Sequence, residues 1–299
     1  MVIRVIHLDV FTTKPGKGNP AGIVLSDEGI DQGTMQQVAA RTGFSDTAFV
    51  SPSSVADFRI RYFSPSREVA LCGHATIAAA VALRNSASRV GSPTLRKFTL
   101  ETNAGTLPIE FATARDGSPM VSMTQARSEM RTFKGSRDRL VSSLGISVSD
   151  LSSDLPVVYG YTGRWTLVVP VRGLDVMARM SPRPEQFASA MSDFPETSVH
   201  PFSLESVGRG VHMHERHFSA PSSGTVEDPV TGTASGVLGV FYREFVNDRW
   251  DESKPLLVEQ GLEIGREGLV HVWAVKDLNR YAVRIAGTAC VVEERDLRL

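Results

Sequence analysis

The 299-residue chain is poor in several features, and each scarcity excludes a class of protein. It has only two cysteines, Cys72 and Cys290, too few for the disulfide framework of a small secreted domain. Its formal net charge is −1, so nothing in its charge points to nucleic acid or an anionic membrane as a partner. No apolar run in the sequence reaches the length that crosses a bilayer.

The bulk composition is that of a globular protein, with 41% hydrophobic and 22% charged residues. The length is sufficient for two domains of ordinary size. Residues 2–11 alternate like a β-strand and lack the apolar core and cleavage site of a signal peptide. We therefore expect a cytoplasmic location.

The most informative feature is a motif that occurs twice. Arg61-Tyr62-Phe63-Ser64 is followed by Glu68-Val69-Ala70-Leu71-Cys72-Gly73-His74-Ala75. Arg216-His217-Phe218-Ser219 is followed by Glu227-Asp228-Pro229-Val230-Thr231-Gly232-Thr233-Ala234. Each copy predicts a strand, a loop, a glycine-containing turn and then a helix of small and apolar residues. Two copies so far apart indicate two similar halves.

The two helices that follow the motif, at 75–85 and 234–247, are apolar on nearly every face, which is typical of a helix buried in a core. Short strands surround each of them in the sequence. This pattern predicts an α+β fold of two pseudo-symmetric domains, each a barrel-like β-sheet wrapped around a central α-helix. Further predictions are a helix at 35–42 capped by Thr34, a polar domain boundary at 125–135, a helix at 184–191 and a strand at 210–218.

The two glycine-containing helix starts, Cys72-Gly73-His74 and Thr231-Gly232-Thr233, suggest anion binding. A helix start presents unpaired N–H groups and the positive end of the helix dipole, and glycine lets a ligand approach the backbone closely. Together they would suit a small carboxylate. The alternative is that the glycines only allow buried helices to pack tightly.

Several titratable residues lie in or near the motif: Asp46, Glu68, Cys72, His74, Glu227 and Asp228. Judged on its neighbours alone, Asp46 fits a turn-forming loop acid better than a catalytic base. A helix start would keep His74 neutral, as a donor or acceptor. On one strand His212 and His214 would share a face and His217 would point away; without a clear carboxylate or cysteine partner they predict no metal site.

Beyond these local signals, the chain resembles the PhzF-like (phenazine biosynthesis F) family of the diaminopimelate-epimerase-like superfold. The similarity extends over nearly the whole chain, with 125–200 the least diagnostic part. The segments that carry it are Asp9-Val10-Phe11, Gly18-Asn19-Pro20-Ala21, Met35-Gln36 to Ala39, Phe44 to Val50, Arg61 to Pro65, Leu71 to Thr76, Glu227 to Ala234, and Glu259-Gln260-Gly261 through Gly265-Arg266.

The resemblance implies an N-terminal domain of residues 1–124 plus about 290–299, because the last strand of such proteins usually returns to the first domain. Residues 125–289 would form the second domain, with the active site in the cleft between the two. It also implies a cofactor-free enzyme that is often a homodimer and that acts on a small carboxylate-bearing molecule. Neither a metal nor any other cofactor is expected.

The resemblance also assigns roles to residues. In the characterised isomerase of the family, a carboxylate in the position of Asp46 moves a proton between ring carbons of a dihydro-hydroxyanthranilate. We therefore expect catalytic residues at Asp46, His74 and Asp228. The substrate-binding residues expected are Asn19, Cys72, Gly73, Thr231, Gly232 and Thr233.

The chain departs from the family in ways that keep alternatives open. Asp46 stands where the family has glutamate, which shortens the reach of the carboxylate by roughly 1.5 Å, and Thr233 stands where the isomerase has serine. Epimerases of the superfold use a cysteine at each helix start, but only Cys72 is present here and Thr231 occupies the second position. The sequence predicts a proton-shifting isomerase. The alternatives are an amino-acid epimerase that uses Cys72 and a catalytically weak protein that binds small carboxylates.

Overall fold

A computed structural model describes residues 1–26, 29–89, 95–114, 117–220 and 225–299. Contacts between residues divide the chain into two compact units. Unit 1 comprises Met1–Thr124 and Ala286–Leu299, and unit 2 comprises Gln125–Ile285. Across these described ranges, no helix is both long and apolar enough to cross a membrane.

Unit 1 is built mainly from strands, with two helices in its described part. In chain order its elements are β1 (Val2–Val10), β2 (Asn19–Leu25), α1 (Gln32–Thr42), β3 (Thr47–Ser51), β4 (Phe58–Phe63), β5 (Glu68–Val69), α2 (Gly73–Arg89), β6 (Lys97–Thr102), β7 (Gly105–Thr113) and β8 (Pro119–Thr124). The last strand of the chain, β18 (Arg280–Arg298), pairs with β1 through Ala289–Arg298.

The sheet of unit 1 surrounds α2. β1 pairs antiparallel with β2, β2 parallel with β3, and β3 antiparallel with β4. β4 pairs antiparallel with β5 and parallel with β6, and β6, β7 and β8 follow antiparallel. Strands from both ends of this series, β1 to β3 and β8, contact α2, so the sheet curves around the helix. Burial of every residue from Ala75 to Leu83 supplies the hydrophobic free energy that holds the helix there.

Unit 2 contains the second set of elements. These are β9 (Glu129–Thr132), α3 (Arg137–Leu144), a 3-10 turn (Val148–Asp150), β10 (Val158–Tyr161), β11 (Trp165–Pro170), α4 (Leu174–Arg179), a 3-10 turn (Pro184–Gln186), α5 (Phe187–Ala190), β12 (Ser198–Ser203), β13 (Met213–Glu215), β14 (His217–Phe218), β15 (Glu227–Asp228), α6 (Gly232–Phe241), a π-turn (Tyr242–Val246), β16 (Leu256–Gln260) and β17 (Gly268–Asp277).

The pairing in unit 2 repeats that of unit 1. β10 pairs antiparallel with β11, β11 parallel with β12, and β12 antiparallel with β13 and β14. β14 pairs with β15, β13 pairs parallel with β16, and β16 pairs antiparallel with β17. α6 takes the place of α2 and packs on β10, β11 and β17. The duplication seen in the motif therefore extends to strand order and direction.

Close packing of α6 depends on glycine. A Cβ atom at Gly160 of β10 would lie 2.1 Å from Val237 Cγ1, and one at Gly239 would lie 2.4 Å from Val272 Cγ1. Both distances are far below van der Waals contact, so these glycines allow the helix to rest directly on the strands.

Several element boundaries differ from the sequence predictions. Asp31, rather than Thr34, caps α1, because its carboxylate accepts the Thr34 N–H at 3.0 Å and the helix begins three residues earlier. The expected strand at 210–218 is divided into β13 and β14 at Arg216. The helix expected at 184–191 is a 3-10 turn followed by one short α-turn, and β9 lies inside the stretch expected to be a polar boundary.

Candidate active site

The position of Asp46 is fixed by the elements on either side of it. α1 ends at Gly43, whose φ of 79° is the left-handed conformation that terminates helices. The chain enters β3 at Thr47, and the Asp46 carbonyl accepts a hydrogen bond from Gly22 N–H at 3.2 Å. This anchored backbone places the carboxylate beside the start of α2, with 18% of its side chain exposed.

The start of α2 carries the other two reactive side chains. The Cys72 carbonyl accepts from the backbone N–H of Thr76 at 3.0 Å and from its hydroxyl at 2.7 Å. The Thr76 hydroxyl also contacts Tyr62 Oη at 2.7 Å. The first turn is thereby attached to β4, which fixes where Gly73 and His74 project.

Asp46, Cys72 and His74 form one group, which we call the acid/base cluster. His74 Nε2 lies 3.8 Å from Asp46 Oδ2, and His74 Nδ1 lies 3.5 Å from Cys72 Sγ. A donor atom from each residue lies within 4.8 Å of the other two. Sulfur, imidazole and carboxylate are the donors that Zn²⁺ prefers, so within the described ranges this is the group of residues that could hold such an ion.

His74 is neutral at physiological pH. Burial lowers the pKa of His74 from 6.5 to about 4, because a charged imidazolium is poorly solvated in this position. A neutral imidazole carries its proton on one nitrogen and a lone pair on the other. It can therefore accept a proton as well as donate one.

Acid should destabilise the wild-type protein more than a His74→Gln variant. An unfolded histidine binds a proton near pH 6.5, but folded His74 does so only near pH 4, so the unfolded state binds more protons between these values. The extra loss of stability in the wild-type protein is absent above about pH 6.5 and grows toward pH 4, to at most about 3 kcal/mol. The free energy of unfolding of both proteins is measured by urea denaturation at pH 7 and at about pH 4.5. If both proteins lost the same free energy of unfolding between these pH values, the neutral state of His74 would be contradicted.

In unit 2 the start of α6 has a different set of side chains around it. The Thr231 hydroxyl donates to an Asp228 carboxylate oxygen, and the Thr231 side chain does not cap the helix. Gln260 joins the two, since its Oε1 accepts the Thr231 N–H at 2.8 Å and its Nε2 donates to the Asp228 carbonyl at 2.6 Å. Asp228 is therefore held by both its side chain and its backbone.

The remaining predicted site residues have clear positions. Gly232 and Thr233 form the first turn of α6, and their carbonyls accept from Gln125 Nε2 at 3.2 Å and Thr162 Oγ1 at 2.8 Å. Asn19 opens β2 and is fully buried in unit 1.

A buried or half-buried ion pair precedes each helix start. In unit 1, Arg61 binds Glu68 through two hydrogen bonds of 2.7 Å. In unit 2, Arg216 binds Glu227 through hydrogen bonds of 2.8 and 2.7 Å. The first pair is 20% and 19% exposed and the second 7% and 10%. Each pair joins the strand of the motif to the loop that leads into the helix.

The three histidines at 212–217 have separate partners. His212 Nδ1 accepts from Leu257 N–H at 2.9 Å. Burial alone would lower the pKa of His214, but the hydrogen bonds that its ring donates to the carboxylates of Glu259 and Glu263 raise it to about 9. His217 Nδ1 contacts another histidine, His200, at 3.1 Å.

The structure thus brings Asp46, Cys72 and His74 together in unit 1, and Asp228 and Thr231 together in unit 2. Gln260 was not predicted as a site residue, although it lies in the Glu259-Gln260-Gly261 segment that supported the family resemblance. The buried polar residues under α6 were also missed, because their contacts arise only from strand pairing.

The duplicated sheet and central helix define an α+β protein of epimerase-like fold. The chain belongs to the PhzC-PhzF family: the family profile, described as phenazine biosynthesis-like protein, matches residues 8–295. A crystal structure of a PhzF-family phenazine biosynthesis protein from Bacillus anthracis is 44% identical, with a TM-score of 0.95 and full coverage of both chains. A hydroxyproline epimerase from Agrobacterium vitis, at 14% identity and a TM-score of 0.63 over 99% of this chain and 91% of its own, shares the fold.

Two curated relatives indicate the class of reaction. An uncharacterized isomerase of Bacillus subtilis is 40% identical over 296 residues, which is 99% of each chain. The trans-2,3-dihydro-3-hydroxyanthranilate isomerase of Pseudomonas aeruginosa is 30% identical over 298 residues, covering 97% of this chain and 98% of its own. The predicted family, fold class and enzyme class are confirmed, and the chain is an isomerase of the PhzF type.

Proposed function

We propose that this isomerase transfers a proton on a small carboxylate-bearing substrate without a cofactor, with Asp46 as the acid/base group. The observation that carries the proposal is the contact between Asp46 and neutral His74 at the start of α2. A carboxylate next to a neutral imidazole can remove a carbon-bound proton and return it at another atom. The 3.8 Å separation is longer than a hydrogen bond, as is common before a substrate draws the groups together.

The first turn of α2 supports binding of the substrate carboxylate. Backbone N–H groups and the helix dipole favour an anion at this point. A Cβ built on Gly73 meets no atom within 4 Å, so the space beside the glycine is open. An anion could therefore approach the backbone within reach of the acid/base cluster.

Gly73→Ala should fold normally and lose substrate affinity. The added methyl group meets no neighbouring atom, so we expect a change in stability below about 1 kcal/mol. It would, however, occupy the open space beside the helix start, and we expect KM to rise at least about tenfold, a change of about 1.4 kcal/mol. Thermal unfolding and steady-state kinetics test the two effects separately. Unchanged KM would remove Gly73 from the proposed binding site.

Unit 2 supplies a second candidate proton-transfer group, Asp228. The Thr231 hydroxyl and Gln260 orient it. Thr233 presents a further hydroxyl in the first turn of α6. We propose Asp228 as a second proton-transfer residue of this protein.

The family comparison suggests which substrates to try first. The Pseudomonas aeruginosa relative is named for trans-2,3-dihydro-3-hydroxyanthranilate, a carboxylate on a partly unsaturated ring. We propose that this chain acts on the same chemical class, in which a proton next to unsaturation is acidic enough for a carboxylate to move. The shorter side chain of Asp46 implies a substrate that lies closer to the backbone than one served by glutamate.

The proposal is tested by incubating the wild-type enzyme in D₂O with trans-2,3-dihydro-3-hydroxyanthranilate and a panel of small unsaturated and amino acids. We expect deuterium to enter at carbon during turnover of at least one of them. Saturable binding in a thermal-shift assay with no deuterium incorporation by any probe would favour the binding-protein alternative.

The same assay tests the epimerase alternative. Cys72 Sγ lies close to His74, which is compatible with a thiol base, but the equivalent position at α6 is Thr231, whose hydroxyl is donated to Asp228. Cys72→Ser should therefore retain most of the isomerase activity. Inversion of an amino acid at Cα that disappears in Cys72→Ser would favour the epimerase instead.

A further inference from the structure

The two units allow a position-by-position comparison beneath their central helices. In unit 1, Ala48 of β3 lies opposite Tyr62 of β4. In unit 2, the pairing of Val199 with Phe218 and of Phe202 with Glu215 places His200 opposite His217 in the same way. The repeated motif aligns the remaining positions of the strands and of the two helices.

The equivalent positions differ in chemistry. Unit 1 has Ala48, Ile60, Tyr62 and Thr76, all buried, with one neutral hydrogen bond between the tyrosine and the threonine. Unit 2 has His200, Glu215, His217 and Ser235. The fold is thus built once with an uncharged set and once with three ionisable side chains. Because burying ionisable groups costs free energy, their presence in unit 2 calls for a reason other than stability.

The four residues of unit 2 form one continuous chain of hydrogen bonds, which we call the buried relay. Ser235 Oγ donates to Glu215 Oε1 at 2.6 Å, and Glu215 Oε2 lies 2.9 Å from His200 Nε2. His200 Nδ1 lies 3.1 Å from His217 Nδ1. His200, Glu215 and Ser235 are fully buried and His217 is 9% exposed, so His217 is the least buried member of the relay.

His217 lies beside a proposed catalytic group, Asp228. His217 is the direct partner of Asp228 across the β14–β15 pair, so the two side chains project from the same face. In unit 1 the corresponding partner of Tyr62 is Val69. Unit 2 therefore has both the Asp228 carboxylate and the buried relay. Unit 1 has uncharged residues at all of the equivalent positions.

We propose that Ser235, Glu215, His200 and His217 form a proton relay that exchanges a proton with Asp228. This inference rests on the proposed function. The residues act through Asp228 and are relay or positioning residues.

The proton balance of the relay is simple. Between two imidazole Nδ1 atoms one must donate and the other accept. With Glu215 ionised, His200 Nε2–H donates to it, His200 Nδ1 accepts from His217 Nδ1–H, and His217 Nε2 has a lone pair. A proton taken up at His217 Nε2 moves the Nδ1 proton to His200, which becomes an imidazolium paired with the Glu215 carboxylate. The reverse sequence returns one proton, and no other atom changes.

The first test replaces the relay with the set that unit 1 already uses. The quadruple variant His200→Ala, Glu215→Ile, His217→Tyr, Ser235→Thr should melt at or above the wild-type temperature, because an apolar set replaces buried ionisable groups. Its kcat for deuterium exchange should fall at least about tenfold with KM within about twofold. His212→Gln, a control in the same segment, should keep the wild-type rate. A folded quadruple variant with unchanged kcat would overturn the relay.

Two further measurements hold even if the quadruple variant fails to fold. In His217→Ala, added imidazole should restore at least part of the lost exchange rate and should leave the wild type unaffected. If His217→Ala exchanges deuterium more slowly and imidazole does not restore the rate, His217 is only a packing residue.

¹⁵N NMR of the wild type should show His217 protonated at Nδ1 and unprotonated at Nε2 at pH 7. The opposite tautomer would refute the relay whether or not the protein turns over any probe. Failure of the relay can therefore be told apart from failure of the proposed function.

Discussion

Asp46→Asn should reduce the rate of solvent deuterium exchange by about 1,000-fold while leaving substrate binding within a few-fold of the wild type. The amide keeps the size of the side chain but cannot accept the proton. Asp46→Glu keeps a carboxylate but displaces it by roughly 1.5 Å, and we expect the exchange rate to fall about 100-fold. Rates measured by NMR in D₂O, with dissociation constants from titration calorimetry, test both variants.

The control for Asp46 is an aspartate of the same unit with no part in the proposed chemistry. Asp57 is exposed and accepts hydrogen bonds from Thr99, so Asp57→Asn should exchange deuterium at the wild-type rate. If Asp46→Asn retained a tenth or more of the activity, the acid/base role would pass to another group, with His74 the first candidate.

The second large effect concerns stability. Glu227→Gln should lower the free energy of unfolding by about 3 kcal/mol, because it removes the carboxylate that pairs directly with the buried Arg216 guanidinium. Arg216 keeps its hydrogen bond to the Met177 carbonyl and its stacking on Phe218, which limits the loss. The matched variant Glu68→Gln breaks the equivalent but more exposed pair, and should cost only about 1 kcal/mol.

Denaturant unfolding of both variants under the same conditions provides the comparison. High salt should reduce the effect of Glu68→Gln more than that of Glu227→Gln, since buried pairs are screened less. Equal losses in the two variants would show that burial does not distinguish the pairs.

Much of the fold could be predicted because the strongest signals were local. Arginine, phenylalanine, glutamate and glycine recur in the same order in both copies, and the apolar helices after them have no polar face to expose. The strand β12 was not predicted because Pro201 lies in its middle and proline normally breaks a strand's hydrogen bonds. Here the Pro201 carbonyl still accepts from Arg216 N–H at 3.0 Å, which joins it to the neighbouring segment.

The acid/base cluster could be anticipated in part for the same reason. Cys72 and His74 are two residues apart in a recognisable motif, but only the resemblance to a family marked Asp46 as more than a loop residue. The buried relay could not be anticipated, because His200 and Glu215 meet only through the register of β12 and β13. Periodicity along one strand carries no information about which residue lies across from it.

The two ion pairs also bear on how this chain can vary in evolution. Glycine follows the paired glutamate by five positions in both copies, although the stretch between the serine of the strand motif and that glutamate is longer in the second. The ion pair holds the glutamate to its strand, so inserted residues before it need not move the helix start, whereas any inserted after it would. The stretch before the glutamate can therefore change in length while the spacing from the glutamate to the helix start stays the same.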